Sequence, residues 1–260
     1  MDFIEASSMW KNIRVACLLI VLLIVAMNAY RDQNQDWNKP INILLHPINA
    51  DGLASTQQYI QHLQHNDFAV VKQYLEESSQ EYRGQSSYFI VQVVRELHQT
   101  PPKMSEQPSL LNNILWSLKF RFYAWKQHQS VDGAPSLTLY LNFYDPKHTK
   151  ELKHSTALER GRIGSVNLFA SQKQAAQNNV VLTHELLHGF GATDKYSLNT
   201  GEPIFPIGYA NADQHPLYPQ TEAEIMGGRI PLSEHKSKMP NDLEQTVIRQ
   251  LTAQEIGWIK

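Results

Sequence analysis

Apolar and polar positions follow three rhythms along the 260-residue chain, and each rhythm predicts a different kind of element. The first is an unbroken apolar run, Val15 to Met27 (VACLLIVLLIVAM). A run of this kind, close to the roughly twenty residues that span a bilayer, predicts a membrane helix with Trp10 and Tyr30 as interfacial anchors. The second rhythm is short, β-branched and aromatic: Ile41–His46, Tyr88–Val94, Leu137–Tyr144 and Ser165–Ala170 read as four strands. Pro47 is expected to end the first of them and Asp145-Pro146 the third.

The third rhythm is helical. Tyr59, Leu63, Phe68, Val71 and Leu75 give an apolar face to a helix over about 55–81. Leu111, Ile114, Leu115, Leu118, Phe122 and Trp125 recur at helical spacing over 110–125, and the aromatics among them are assigned to the core. A further helix is expected from about Gln172 to Gly189, with Ser171 and Gln174 as a capping box. Between 195 and 219 the periodicity disappears and Pro203, Pro206, Pro216 and Pro219 occur, so a long irregular segment is expected. The end, 241–260, predicts one or two helices, the second capped by Thr252 with Glu255 at its third position.

Lys11 and Arg14 precede the apolar run, which favours a cytoplasmic N-terminus and a membrane signal anchor that leaves the rest outside the cytoplasm. A cleaved signal peptide is the competing reading, but Val25-Ala26-Met27-Asn28-Ala29 lacks a small-x-small site. The expected division is therefore a tail at 1–12, a membrane helix at 13–30, a polar tether at 31–40 and one folded domain at 41–260.

Composition adds exclusions. The net charge of −2 gives no basic excess and argues against nucleic acid as a partner. The single cysteine, Cys17, lies within the apolar run, so neither a disulfide framework nor a cysteine zinc site is available.

The chemistry concentrates in His184-Glu185-Leu186-Leu187-His188-Gly189-Phe190-Gly191-Ala192-Thr193-Asp194. Histidines four apart share a helix face and can offer ring nitrogens to one metal ion, while Glu185 beside them is placed as general base toward a water the metal activates. Gly191 suits a left-handed helix end, which would return Asp194 to the histidines as a third ligand. Glu222 or Glu224 is the alternative third ligand, and His215 would close the site if its role were structural.

This run resembles the metzincin branch of the zincin metallopeptidases, in the snapalysin-like variant where aspartate replaces the third histidine. Glu224-Ile225-Met226-Gly227-Gly228 looks like that branch's methionine turn. The resemblance implies an α+β, zincin-like mixed sheet with an active-site helix, Zn2+ held by His184, His188 and Asp194, and Glu185 as catalytic base. It also implies that the strand before the helix, 165–170, is an antiparallel sheet edge for an extended peptide. The branch's tyrosine after the methionine turn has no counterpart in Gly227-Gly228-Arg229, leaving Tyr196, Tyr209 and Tyr218 as candidate oxyanion partners. The expected activity is a membrane-anchored zinc endopeptidase acting on a peptide or protein. The rivals are a zinc-binding interaction protein without catalysis, and a zinc hydrolase of non-peptide amides. Oligomeric state and substrate stay open.

Overall fold

The computed structural model describes residues 2–104, 109–127, 136–158 and 162–260. Helix α1 (Asp2–Gln33) contains the apolar run and has one stretch, Met9–Met27, long and apolar enough to cross a membrane. None of that stretch is buried against the rest of the chain. The chain then joins the domain earlier than the sequence indicates. Trp37, expected in the polar tether, is buried against Phe89, Phe190 and Trp258, and its Nε1–H donates to Ile256 O at 3.0 Å.

Strands β1 (Ile41–Asn49), β2 (Phe89–Val93) and β3 (Leu137–Tyr144) fall where the apolar runs predict. Pro47 does not stop β1: its carbonyl accepts from Leu97 N–H (2.9 Å) on the side where β2 has already ended, so its missing N–H leaves no ladder bond unmade. The predicted 55–81 helix divides into α2 (Ala54–Gln61), a 3₁₀ turn (His65–Phe68) and α3 (Ala69–Arg83). Gln64 and Asp67 form a reciprocal capping box that restarts the chain. The predicted apolar face survives, since Phe68, Val71 and Leu75 are buried and Tyr59 and Leu63 pack on them.

Helix α4 (Leu110–Gln127) forms as predicted but presents the other face. Trp116, Phe120 and Tyr123 pack with Tyr140 and Ile163, whereas Phe122 and Trp125, the aromatics assigned to the core, are exposed together with Leu111, Ile114, Leu115 and Leu118. The helix is apolar on both faces, so periodicity alone does not say which one meets the sheet.

Strand β4 (Thr156–Leu158) escaped the sequence reading, and β5 (Ile163–Phe169) begins two residues before the predicted strand. The five strands make one mixed sheet in the order β2-β1-β3-β5-β4, parallel except for β4. The strand that precedes the next helix runs parallel to β3, and β4 covers its outer side only at Ile163–Ser165. The antiparallel strand at the sheet edge is β4; within 165–170 only Ser165 pairs with it.

One sheet face carries the main core, including Leu139, Leu141, Val166 and Leu168, with α2, α3 and helix α5 (Ala175–Gly189) over it; α4 covers the other. A 3₁₀ turn at Gln172–Gln174 leads into α5, but Ser171 makes no side-chain cap bond. The side-chain amide of Asn178 does the joining instead: it accepts from Phe169 N–H (3.2 Å) and donates to Phe169 O (2.8 Å), which fixes α5 against the end of β5. Beyond α5 lie short pairs, β6 (Ala223–Glu224) with β9 (Thr246–Val247) and β7 (Ile230–Ser233) with β8 (Lys236–Lys238), and the closing helix α6 (Gln250–Glu255). Thr252 lies inside α6 rather than capping it.

Candidate metal centre

The last turn of α5 ends in a close approach of three polar atoms. His188 Nε2 lies 3.0 Å from His184 Nε2 and 3.0 Å from Asp194 Oδ1, and His184 Nε2 is 3.2 Å from the same oxygen. The sequence-predicted ligands are thus brought together. The chain reaches Asp194 by leaving α5 at Phe190 and passing through Gly191 at φ 107°, a left-handed conformation that favours glycine.

The outer nitrogens decide what the inner ones can be. His184 Nδ1 is 2.9 Å from Ile225 O and His188 Nδ1 is 2.7 Å from Ala192 O. A carbonyl only accepts, so both Nδ1 atoms carry hydrogens, and in the neutral rings both Nε2 atoms hold lone pairs. Two imidazole lone pairs and a carboxylate then face one point with no hydrogen among them. A cation resolves this, and the spacing suits zinc: tetrahedral ligands at about 2.0–2.2 Å stand roughly 3.3 Å apart. Donation from the outer nitrogen to a backbone carbonyl is also the usual way a ligand histidine is oriented.

The electrostatics agree. Burial works against the Asp194 carboxylate, but the two histidines beside it overcome that and hold its pKa well below the usual range. At His188 burial disfavours the imidazolium, while Asp194 and then Glu185 push its pKa up. Both shifts express the mutual attraction of the imidazoles and the carboxylates beside them.

Glu185 belongs to the same cluster, its carboxylate grouped with the two histidines. It is 6% exposed, its Oε2 is buried without a hydrogen-bond partner, and burial raises its pKa despite the nearby histidines. A buried, unsatisfied carboxylate oxygen is costly to maintain and marks a group kept for a ligand or a proton.

Two cavities, of about 530 and 350 Å³, flank the cluster. His154, Ser155, Glu185 and Tyr196 line both, so Glu185 and Tyr196 stand where the two meet. The larger cavity runs over the upper α5 residues Val180 and Val181 to Gly227 and Arg229; the smaller is bounded by Thr156 and Ala157 of β4. Tyr196 has its pKa raised by burial and then by the Asp194 carboxylate, so its hydroxyl stays protonated at neutral pH.

The alternative ligands lie elsewhere. Glu224 is fully buried, but its two oxygens accept from Thr252 Oγ1 (2.5 Å) and Arg249 N–H (2.8 Å) of the closing segment. Burial pushes its pKa up to about 7 against those bonds. Glu222 and His215 line neither cavity. Of the other tyrosines, Tyr209 and Tyr218 share a hydroxyl contact of 2.8 Å and line neither cavity.

The segment beneath the centre is held by residues that sequence reasoning assigned to a helix cap. Glu255 accepts from Thr193 N–H (3.0 Å), Thr193 Oγ1 (2.6 Å) and Lys195 Nζ (2.7 Å), and so grips both neighbours of Asp194. Lys195 Nζ also donates to Thr193 O at 3.0 Å, and Lys195 N–H donates to Met226 O at 2.8 Å. Met226 is fully buried in the turn whose Ile225 carbonyl orients His184. One short helix, α6, therefore holds both supports: Thr252 through Glu224, and Glu255 through Thr193 and Lys195. The Thr-x-x-Glu spacing was visible in the sequence; its partners, some 28 to 62 positions away, were not.

No protein-family model matches the chain, and no curated protein matches it in sequence. Among solved structures, a chain from a structure of a chaperone-substrate complex aligns at 14% identity and a TM-score of 0.37. The alignment covers 84% of this chain but 38% of that one, so this chain spans well under half its length, and a likeness this low carries no argument.

Proposed function

We propose that the protein is a zinc-dependent endopeptidase of the zincin type, anchored to a membrane by α1 with its catalytic domain outside the cytoplasm. The observation that carries the reading is the convergence of His184 Nε2, His188 Nε2 and Asp194 Oδ1 beside the unpartnered Glu185 Oε2, at the junction of two cavities. His184, His188 and Asp194 would hold the ion. Zinc bound by these three residues supplies Lewis acidity, which acidifies water and polarises a carbonyl oxygen.

The chain's own groups do the rest. An extended peptide pairs with the free edge of β4, whose other edge is taken by β5, and its scissile bond comes to lie across the junction where Glu185 and Tyr196 meet. Glu185, whose pKa burial raises, takes a proton from the attacking water and passes it to the leaving amine nitrogen. The Tyr196 hydroxyl donates a hydrogen bond to the oxygen on which negative charge develops.

Lys11 and Arg14 before the apolar stretch support the orientation. The test uses the full chain in mild detergent, comparing zinc content and cleavage of a peptide library between the parent and Glu185→Gln. The account expects one zinc per chain in both and turnover in the parent alone. Bound zinc without turnover in the parent would favour a non-catalytic binding protein.

A further inference from the structure

We propose that α4 is a second membrane contact, an interfacial helix that lies with its apolar stripe in the surface of the same bilayer that α1 enters. Leu111, the adjacent pair Ile114 and Leu115, Leu118, Phe122 and Trp125 recur at three- and four-residue spacing and form a single stripe along the helix. All are exposed, with Leu118, Phe122 and Trp125 at 59%, 62% and 73%. The opposite stripe, Trp116, Phe120 and Tyr123, is packed on the sheet, so the exposed one faces directly away from the domain. An apolar face of this length without a partner among the described residues is unusual on a water-surrounded surface.

Charge identifies the occupant as lipid. α4 contains Lys119, Arg121 and Lys126 and no acidic residue. All three are exposed and flank the stripe, as basic side chains do when they reach from a buried apolar face to phosphate headgroups.

The connection to α1 keeps the domain close to the membrane. Only residues 34–36 separate the end of α1 from Trp37, which is locked in the core. From Met27, where the apolar stretch ends, the rest of α1 rises about 9 Å and the link from Gln33 to Trp37 adds at most about 14 Å, whereas a domain of this size is roughly 40 Å across. The link therefore holds the near side of the domain within about 23 Å of the apolar stretch. Gln35, in that link, accepts a hydrogen bond from Arg162, and the next residue, Ile163, belongs to the apolar cluster that seats α4. Arg162 thus ties the link to the end of β5 that also seats α4, while Trp37 enters the core on the other sheet face. The inference rests on α1 being a membrane anchor, but not on the peptidase reading.

The test uses the full chain with Cys17→Ser and a single new cysteine carrying an environment-sensitive fluorophore, reconstituted into phosphatidylcholine–phosphatidylglycerol vesicles. Leu118→Cys and, independently, Phe122→Cys report the stripe; Gln73→Cys on exposed α3 reports the aqueous side. Flotation with the vesicles reads α1 separately. The proposal expects flotation, with labels at 118 and 122 blue-shifted and quenched by lipid-borne nitroxide but shielded from aqueous iodide, and the reverse at 73. Flotation with iodide quenching at 118 and 122 equal to that at 73 would overturn it while sparing the anchor. Labels shielded from both quenchers would also overturn it and assign the stripe to a second copy of the chain. Failure to float would remove the anchor and the proposal together.

Discussion

Glu255 is the residue through which the closing helix supports the candidate metal centre, and its removal tests that connection. In Glu255→Ala, the Lys195 ammonium, whose side chain is 0% exposed, keeps a single acceptor, Thr193 O. Breaking a buried ion pair by removing one partner costs about 3–5 kcal/mol, because the remaining charge stays desolvated. The Glu255 side chain retains 22% exposure, so water can enter where it stood and the lower end, about 3 kcal/mol, applies. Asp194 would also lose the grip on both its neighbours, and removing support of this kind typically lowers metal affinity by about 10–100-fold. Urea denaturation of the metal-free full chain in micelles reads the first effect, and zinc competition against a chelator of known affinity reads the second. The double variant Lys195→Met/Glu255→Leu should recover most of the stability, since no charge is stranded, without recovering the affinity. A stability loss below about 1 kcal/mol together with unchanged zinc affinity would refute the reasoning, because both follow from one set of contacts.

Tyr196→Phe should lower kcat by about 10²–10³-fold with KM and zinc content little changed, as steady-state kinetics would show. Glu224 gives a pH signature. Its folded pKa, about 7, lies above its unfolded value, so the native state holds the extra proton and stability falls as pH rises from about 4.5 through 7. Glu224→Gln should flatten that part of the stability profile of the metal-free protein. Glu255 has the opposite sign: burial opposes its ionisation, but the bonds from Lys195 and Thr193 hold its pKa low, so its contribution is present above the unfolded value and lost as pH falls through the folded one. Gly227→Ala would place a methyl 2.4 Å from Gly208 O, and the resulting shift of the methionine turn should cost about 1–3 kcal/mol by thermal denaturation.

Much of the site was legible in the sequence because it is local. His184, Glu185 and His188 share a helix, and Gly191 returns the chain to Asp194 within one turn, so spacing alone places the four candidate residues together. The strand Leu137–Tyr144 has its observed bounds because a run of large apolar residues between turn signals has few other ways to be buried. What the sequence hid was non-local. The three residues of β4 carry no alternation long enough to detect, and their role follows from pairing with β5. In α4 both faces are apolar, so only the position of Tyr140 and Ile163 decides which is covered. Thr252 and Glu255 match a helix-start pattern equally well whether they bond their own backbone or, as here, Glu224, Thr193 and Lys195.

The most direct test of the central claim is anomalous diffraction at the zinc edge from crystals of the full chain grown with equimolar zinc. The account predicts one ion within about 2.0–2.2 Å of His184 Nε2, His188 Nε2 and an Asp194 carboxylate oxygen, with a solvent position open toward Glu185. An ion closed by a fourth protein ligand, or no ion between these three residues, would contradict it.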